Sequence, residues 1–496
     1  MNTQGISTLS TDASRNVLES LHTGLHLNGQ WSESASGERF EIVNPATEEV
    51  ITTVANGNAA DARRAIEAAG AAQAQWAKSA PRFRSEILRR AYELIMARQD
   101  QLALLMTTEM GKPLAEARGE VAYAAEFFRW FSEEAVRIGG NQTTTGDGAN
   151  RILVSKEPVG PCVLITPWNF PLAMGTRKIG PAIAAGCTMV LKPASLTPLS
   201  SLALVDILIE AGLPDGVLNV VTTKDPGAVV GAWLGSGIAR KLSFTGSTAV
   251  GVNLLEQAAQ HVMRTSMELG GNAPLIVFGD ADLEVAVDGA VAAKMRNMGE
   301  ACTAANRIFV HSSLAEEFSD KLAQRLGALV VGDGAADGTD VGPLVEPKAL
   351  DKVESLVADA VAKGARVLCG GNRPEGAGYF YAPTVLAGVS PDAQMMHQEI
   401  FGPVAAVVSF ETEDEVVALA NDTPWGLAGY LFTQDLDRAF RVGEALQVGM
   451  VGLNTGIVSN PAAPFGGVKA SGLGREGGTT GIEEFLETKY MSMPRR

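Results

Sequence analysis

Between Val159 and Phe278 the chain alternates short apolar runs with stretches of helical periodicity. Val163-Leu164-Ile165, Thr188-Met189-Val190-Leu191, Asn219-Val220-Val221 and Leu242-Ser243-Phe244 read as strands. The segments between them carry helix punctuation. Pro171 suits a first helical turn, where a missing N–H costs nothing. Thr197-Pro198 reads as an N-cap and first turn, and Ala211-Gly212-Leu213-Pro214 as a stop. Asp225-Pro226 opens another helix, and Gly246-Ser247 begins the one after Phe244. Strand–helix alternation of this kind predicts a parallel, doubly wound α/β sheet. A second α/β unit runs from about Leu283 to Gly466 and opens with a long helix, Leu283 to Asn297. Two further segments, Asn150 to Lys156 and Leu486 to Met493, look like a projecting hairpin.

Composition narrows the classes. A chain of 496 residues suggests about three domains at roughly 150 residues each. With 46% hydrophobic residues it can bury large cores. A net charge of −16 argues against a nucleic-acid partner, because phosphate binding needs a basic surface. No apolar run reaches the ~18 residues of a membrane span. The first twenty residues carry Asp12, Arg15 and Glu19 and lack an apolar centre, so residues 1–20 are expected to be a loose extension rather than a targeting signal. Cys162, Cys187, Cys302 and Cys369 form no C-x-x-C pair, which fits a reducing cytoplasm. His22 and His26 have the i, i+4 spacing of a metal pair but no third ligand nearby. They read as surface residues, and no metal site is expected.

Two segments carry the chemistry. Met295-Arg296-Asn297-Met298-Gly299-Glu300-Ala301-Cys302 sets a cysteine after a glycine-bearing turn. Met267-Glu268-Leu269-Gly270-Gly271-Asn272 sets a carboxylate before paired glycines, which let backbone pack closely beside it. A thiol attacks an aldehyde carbon, and a carboxylate can activate water against the thioester that follows. No histidine neighbours Cys302 in sequence, although a Cys-His dyad from distant segments stays open. Asn169, after a strand and before Pro171, can aim its amide at a developing oxyanion together with the Cys302 N–H. A helix-capping role is the plainer alternative for Asn169. Cys302 needs surroundings that favour its anion, since a free thiol has a pKa near ~8.5.

These segments resemble the aldehyde dehydrogenase superfamily. So do Thr166-Pro167-Trp168-Asn169-Phe170-Pro171, Leu191-Lys192-Pro193-Ala194, Ser243-Phe244-Thr245-Gly246-Ser247-Thr248 and Glu399-Ile400-Phe401-Gly402-Pro403, in the family's order. The resemblance implies an α/β fold with a Rossmann-variant cofactor domain, a second α/β catalytic domain and a small β oligomerisation arm. On that basis residues 21–140 and 159–280 form the dinucleotide domain and 281–466 the catalytic domain. Residues 141–158 and 467–496 then form the arm of a homo-oligomer, dimer or tetramer. The family's Rossmann variant lacks the G-x-G-x-x-G fingerprint, as this chain does. The resemblance also implies Cys302 as nucleophile and Glu268 as the base for deacylation. Lys192 would contact the adenosine ribose, and Glu399 the nicotinamide ribose with Phe401 beside it. Trp168, Thr245, Gly246, Ser247 and Leu269 would line the dinucleotide path.

Within the superfamily, Arg177, Arg296 and Ser459 resemble the succinate-semialdehyde dehydrogenase branch, where two arginines and a serine hold the distal carboxylate. The expected partner is thus a small anionic aldehyde. Glutarate semialdehyde is the alternative substrate, since one methylene is worth only ~1–3 kcal/mol of discrimination. Either arginine could instead belong to a structural ion pair. A binding protein on the same scaffold would not need Cys302, Glu268 and Asn169 together, and a cofactor-free thiol hydrolase would not need Lys192 and Glu399. Two departures stand out. The run Cys302-Thr303-Ala304 lacks the second cysteine of a Cys-x-Cys redox switch. Glu300 puts a charge two residues before the nucleophile, and the sequence leaves its effect open.

Ser195 follows Lys192-Pro193-Ala194 where many NAD-preferring relatives carry a glutamate that repels a 2′-phosphate. Serine removes that repulsion, so NADP is expected to be accepted or preferred, with NAD possible. Ser195→Glu should therefore shift the ratio of kcat/KM values from NADP towards NAD. An unmoved ratio in reduced-nicotinamide absorbance assays would take residue 195 away from the adenosine ribose.

Overall fold

The computed structural model describes residues 17–495. The first sheet has eight strands, ordered Gln30–Ser32, Leu25–Leu27, Leu218–Val220, Met189–Lys192, Cys162–Ile165, Lys241–Thr245, Arg264–Glu268 and Gly472–Leu473. Its central five, Leu218–Val220 through Arg264–Glu268, are parallel. The strands outside them pair antiparallel and close the edges.

Alternation along these strands explains the layering. Leu164 and Leu191 pack into one apolar cluster with Phe127 and Phe128 of the helix Leu114–Glu134. Their neighbours Val163, Ile165 and Val190 enter a different cluster with Trp233 and Ile66. A strand buried on both faces reads as a continuous apolar run because helices cover both sides. Each such Leu, Val or Ile contributes about 1.5–3 kcal/mol by leaving water.

The second sheet has seven strands, ordered Arg366–Cys369, Thr384–Ala387, Val404–Phe410, Ala305–His311, Ala273–Val277, Ala428–Phe432 and Met450–Leu453. Ala273–Val277 lies at residues the sequence placed in the dinucleotide domain, so the change of sheet falls at Gly270-Gly271 and not after 280. The run Ala273-Pro274-Leu275-Ile276-Val277 is apolar throughout, and such a run pairs equally well in either sheet.

The arm is a three-stranded sheet, Leu486–Pro494, Asn150–Pro158 and Asn141–Thr144. The two segments read from sequence pair antiparallel from Leu486↔Pro158 to Pro494↔Asn150. The polar strand Asn141–Thr144 gave no apolar signal. Residues 467–485 do not join the arm, because Val468–Lys469 and Gly472–Leu473 pair with strands of the main body.

Four further expectations are corrected. Val17 and Leu18 pack on the core, so residues 17–20 are not loose; residues 1–16 of the expected extension lie outside the described residues. His26 is buried in a strand, where its ring bonds the Leu218 carbonyl at 3.2 Å, and only His22 is exposed. Helix Ala173–Ala185 begins two residues after Pro171. There the Leu172 and Ala173 N–H groups donate to Glu120 Oε1 at 3.0 and 3.1 Å. Likewise Thr197 does not cap helix Leu199–Glu210, whose Leu199 and Ser200 N–H groups donate to Glu109 at 2.7 and 2.8 Å. Carboxylates from distant helices thus satisfy two helix starts, which no local motif can reveal. Among the described residues no helix is long and apolar enough to cross a membrane.

Candidate active site

The parallel strands of the first sheet end at Ile165, Lys192, Thr245 and Glu268, and an α/β sheet presents ligands at such ends. Asn169 follows the first of these ends. Opposite, helix Leu283–Met295 stops two residues before the expected Asn297. Asn297, Met298 and Gly299 then take left-handed φ values of 54°, 56° and 80°. This turn swings the chain back to deliver Cys302. Gly299 is required: a Cβ there would stand 2.1 Å from the Gly402 carbonyl oxygen. Gly271 is equally constrained, since a Cβ would meet the Cys302 carbonyl oxygen at 2.4 Å.

Cys302 is half-buried on the wall of a cavity of about 320 Å³. Trp168, Asn169, Thr245, Gly246, Ser247, Leu269, Glu399 and Phe401 line the same cavity. Lys192 and Ser195 lie off this wall, at the end of their strand. The residues present fit a dinucleotide. Thr245 Oγ1 is buried without a hydrogen-bond partner. Ser247 caps helix Thr248–Ala259 without a side-chain bond, leaving the helix N–H groups free for a phosphate. Burial lowers the Lys192 ammonium to about 8, and it forms no ion pair among the described residues.

Burial pushes the Cys302 thiol up to about 12, while Arg177 and Arg296 pull it down and Glu399 and Glu268 push it further up. The surroundings that favour the anion, Arg177 and Arg296, are outweighed here by desolvation. Glu268 is buried, with Oε2 lacking a partner. Desolvation and then the charge of Glu476 raise its carboxyl well above the usual range, against Arg177, Lys178 and Arg475. Glu399 is raised to about 7 by burial and accepts from the Gly271 N–H at 3.3 Å. Asn169 Nδ2 donates to the Glu300 carbonyl at 2.9 Å, and its second N–H is free to serve an oxyanion. Trp168 and Phe401 meet edge to face at 5.4 Å.

The two arginines separate. Arg296 donates to Ser459 Oγ at 2.8 Å, forms no ion pair among the described residues, and lines a neighbouring cavity of about 460 Å³. Arg177 is 2% exposed, pairs with Glu476 at 2.7 Å and stacks on the Phe465 ring at 4.0 Å. It pairs with the protein's own carboxylate and is not on the cavity wall that Arg296 lines, although its Nε has no hydrogen-bond partner among the described residues. Glu476 also binds Lys178 at 2.5 Å, and against its burial Lys178 and Arg177 hold it below the usual carboxylate range.

The aldehyde dehydrogenase family model matches residues 31–491. The chain belongs to the aldehyde dehydrogenase family. A succinate-semialdehyde dehydrogenase of Paenarthrobacter nicotinovorans is 58% identical, over 90% of this chain and 99% of its own. A glutarate-semialdehyde dehydrogenase of Pseudomonas putida is 52% identical, over 94% and 96%. The crystal structure of an Escherichia coli NADP-dependent enzyme superposes with a TM-score of 0.95 at 50% identity, over 97% of this chain and 99% of that one. The α/β fold with a Rossmann-like cofactor half and a catalytic half is therefore that of the aldehyde dehydrogenases, and the family reaction uses NAD(P).

Some residues of this aldehyde dehydrogenase site escaped the sequence reading. Asn297 Nδ2 donates to both the Asn169 and the Glu300 carbonyls at 3.0 Å, although it looks like any turn asparagine. Lys352 lines the 320 Å³ cavity beside Glu399 and stands in an ordinary amphipathic helix, Pro347–Ala362. Glu476 lies in the closing glycine-rich run, where only its contact with Lys178 and Arg177 reveals a role.

The question of Glu300 is also resolved. Its carboxyl is fully buried, accepts from the Val345 N–H at 3.3 Å and leaves Oε2 without a partner. Burial raises it well above the usual range, and desolvation and the charges of Arg177, Glu399, Glu268 and Arg296 weigh most on Cys302. A raised carboxyl stabilises the fold fully below its unfolded pKa and loses that contribution as pH climbs towards the folded value. Glu300→Gln, an isostere of the protonated acid, should match the parent in acid and become the more stable of the two as pH rises from 6 to 9. Each kcal/mol moves Tm by about 2–4 °C in domains of ~150–250 residues, within reach of calorimetry. A Tm gap that does not widen with pH would contradict a protonated Glu300.

Proposed function

We propose that this chain oxidises succinate semialdehyde to succinate with NADP, accepting NAD. The observation that carries the substrate is Arg296: a cation with no acidic partner among the described residues, braced by Ser459 on a cavity wall, with its charge reaching Cys302. A carboxylate at the far end of a short aldehyde supplies the missing anion through charge-assisted hydrogen bonds. The relative of 58% identity carries this activity in its name, and the 51%-identical Escherichia coli relative names NADP. The same cradle takes glutarate semialdehyde as a second substrate, in line with the 52%-identical relative.

Cys302 Sγ attacks the aldehyde carbon, and the thiol proton passes to Glu268. The Asn169 amide and the Cys302 N–H hold the oxyanion of the resulting thiohemiacetal, each such donor being worth roughly 3–4 kcal/mol. When bound, NAD(P) accepts the hydride that leaves this carbon. Lys192 and Ser195 hold its adenosine end, and the helix start at Ser247 takes a phosphate. Glu399 orients the nicotinamide ribose, with Trp168 and Phe401 walling the ring. Glu268 releases the thiol proton to solvent, then takes a proton from the water that hydrolyses the remaining thioester and returns it to the departing Cys302 thiolate. Burial raises the Glu268 carboxyl, which makes it a stronger base than an exposed carboxylate. Exposed Tyr490 and Met491 on the arm support homo-oligomer assembly. Four free thiols support a reducing, cytoplasmic setting.

Glu268→Gln should acylate and then stall, giving a burst of reduced nicotinamide followed by a slow steady state. Unchanged steady-state turnover would remove Glu268 as the base. The arginines should behave differently. Arg296→Ala should cut kcat/KM for succinate semialdehyde by about ten- to hundred-fold, from the ~1.5–3 kcal/mol of a hydrogen bond to a charged group. It should leave uncharged butanal nearly unaffected. Arg177→Ala should depress both substrates alike, since it alters Cys302, Glu268 and Glu476 together. An unchanged substrate ratio in Arg296→Ala would sink the succinate semialdehyde assignment.

A further inference from the structure

One polar group on the wall of the 460 Å³ cavity has no partner and no role so far. Tyr123 stands on the helix Leu114–Glu134, its ring edge-to-face with Phe127 at 5.0 Å. The Arg296 guanidinium lies 5.5 Å from the Tyr123 ring centroid, and Arg177 is close enough to respond to the charge of the phenol. The Tyr123 hydroxyl is buried and makes no hydrogen bond. A buried phenol O–H is normally satisfied, so an orphan on a residue that lines a cavity marks a donor that a ligand can take up once the ring shifts slightly.

The other polar groups on this wall are already engaged. Lys112 pairs with Glu120 and donates to the Asn169 carbonyl at 2.8 Å. Glu116 accepts from the Asn297 N–H at 2.8 Å, and burial raises its carboxyl towards the neutral form. That leaves two groups with spare donors, Arg296 and Tyr123, side by side on one wall. A guanidinium stacked over a ring whose O–H has no partner puts two donors near one place, which suits an acceptor-only anion. We propose that the Tyr123 hydroxyl donates to the distal carboxylate of the substrate beside Arg296 and Ser459, and so helps to set the preference for ω-carboxy aldehydes. This rests on the substrate reading above and adds a specificity residue to it.

Tyr123→Phe tests the idea, because it keeps the ring against Phe127 and Arg296 and deletes only the hydroxyl. With succinate semialdehyde the KM should rise and kcat/KM should fall by roughly ten-fold, as expected for one lost hydrogen bond to a charged group. Butanal kcat/KM should stay within about two-fold, which also reports an intact fold and catalytic centre. Succinate, assayed as an inhibitor of butanal oxidation, should weaken by a similar factor in the variant, while butyrate binds no worse. If the parent enzyme prefers succinate semialdehyde to butanal and Tyr123→Phe leaves both that ratio and succinate inhibition unchanged, the Tyr123 assignment is overturned while the substrate reading stands. If the parent itself shows no preference, the substrate reading falls and the Tyr123 role with it.

Discussion

The site depends on one side chain that ties two sheets together. Asn297 Nδ2 reaches the Asn169 carbonyl on the loop after the first sheet's central strand and the Glu300 carbonyl on the nucleophile's own turn. Its backbone N–H is held by Glu116, and Asn169 returns its amide to Glu300. Asn297 Oδ1 is buried without a partner, so the Nδ2 donations carry the connection. It fixes Cys302 relative to Asn169, and so fixes where an oxyanion can form. The left-handed backbone at Asn297 and Met298 is the conformational cost. Gly299 against Gly402 and Gly271 against Cys302 provide the close backbone contacts that hold the turn in place.

Around this network the site keeps its charges close to balance. Glu476 lies between Arg177 and Lys178, and Glu268 feels all three. Removing any one leaves an uncompensated charge in a dry interior, which is far more costly than the net worth of the pair. This balance sets Arg177 and Arg296, alike in sequence terms, in different surroundings. Arg177 has a carboxylate from the protein. Arg296 has only a hydroxyl, so its charge remains available to a ligand.

Burial raises both the Cys302 thiol and the Glu268 carboxyl above their ordinary ranges. A site so arranged resists stray alkylation or oxidation of Cys302, since the thiolate is the reactive species.

Much of this was legible in the residues. Apolar runs at Val163-Leu164-Ile165 and Leu242-Ser243-Phe244 determined buried parallel strands, because a short run between helix punctuation has few other outcomes. The ordered motifs around Trp168-Asn169, Thr245-Gly246-Ser247, Glu268, Cys302 and Glu399 determined the family and the chemistry, and the fold gathers most of them on one cavity wall. Local pattern could not place Ala273–Val277 in the second sheet, nor reveal that Glu109 and Glu120 cap helices far along the chain. It also could not expose the low acidity of Cys302, pair Arg177 with Glu476, or free Arg296 and the Tyr123 hydroxyl. Residue type and spacing decide what a segment can form and which reactions its side chains can perform. Desolvation and charge pairing depend on neighbours brought from distant parts of the chain, so only the tertiary structure decides which groups are neutral, which are paired and which await a ligand.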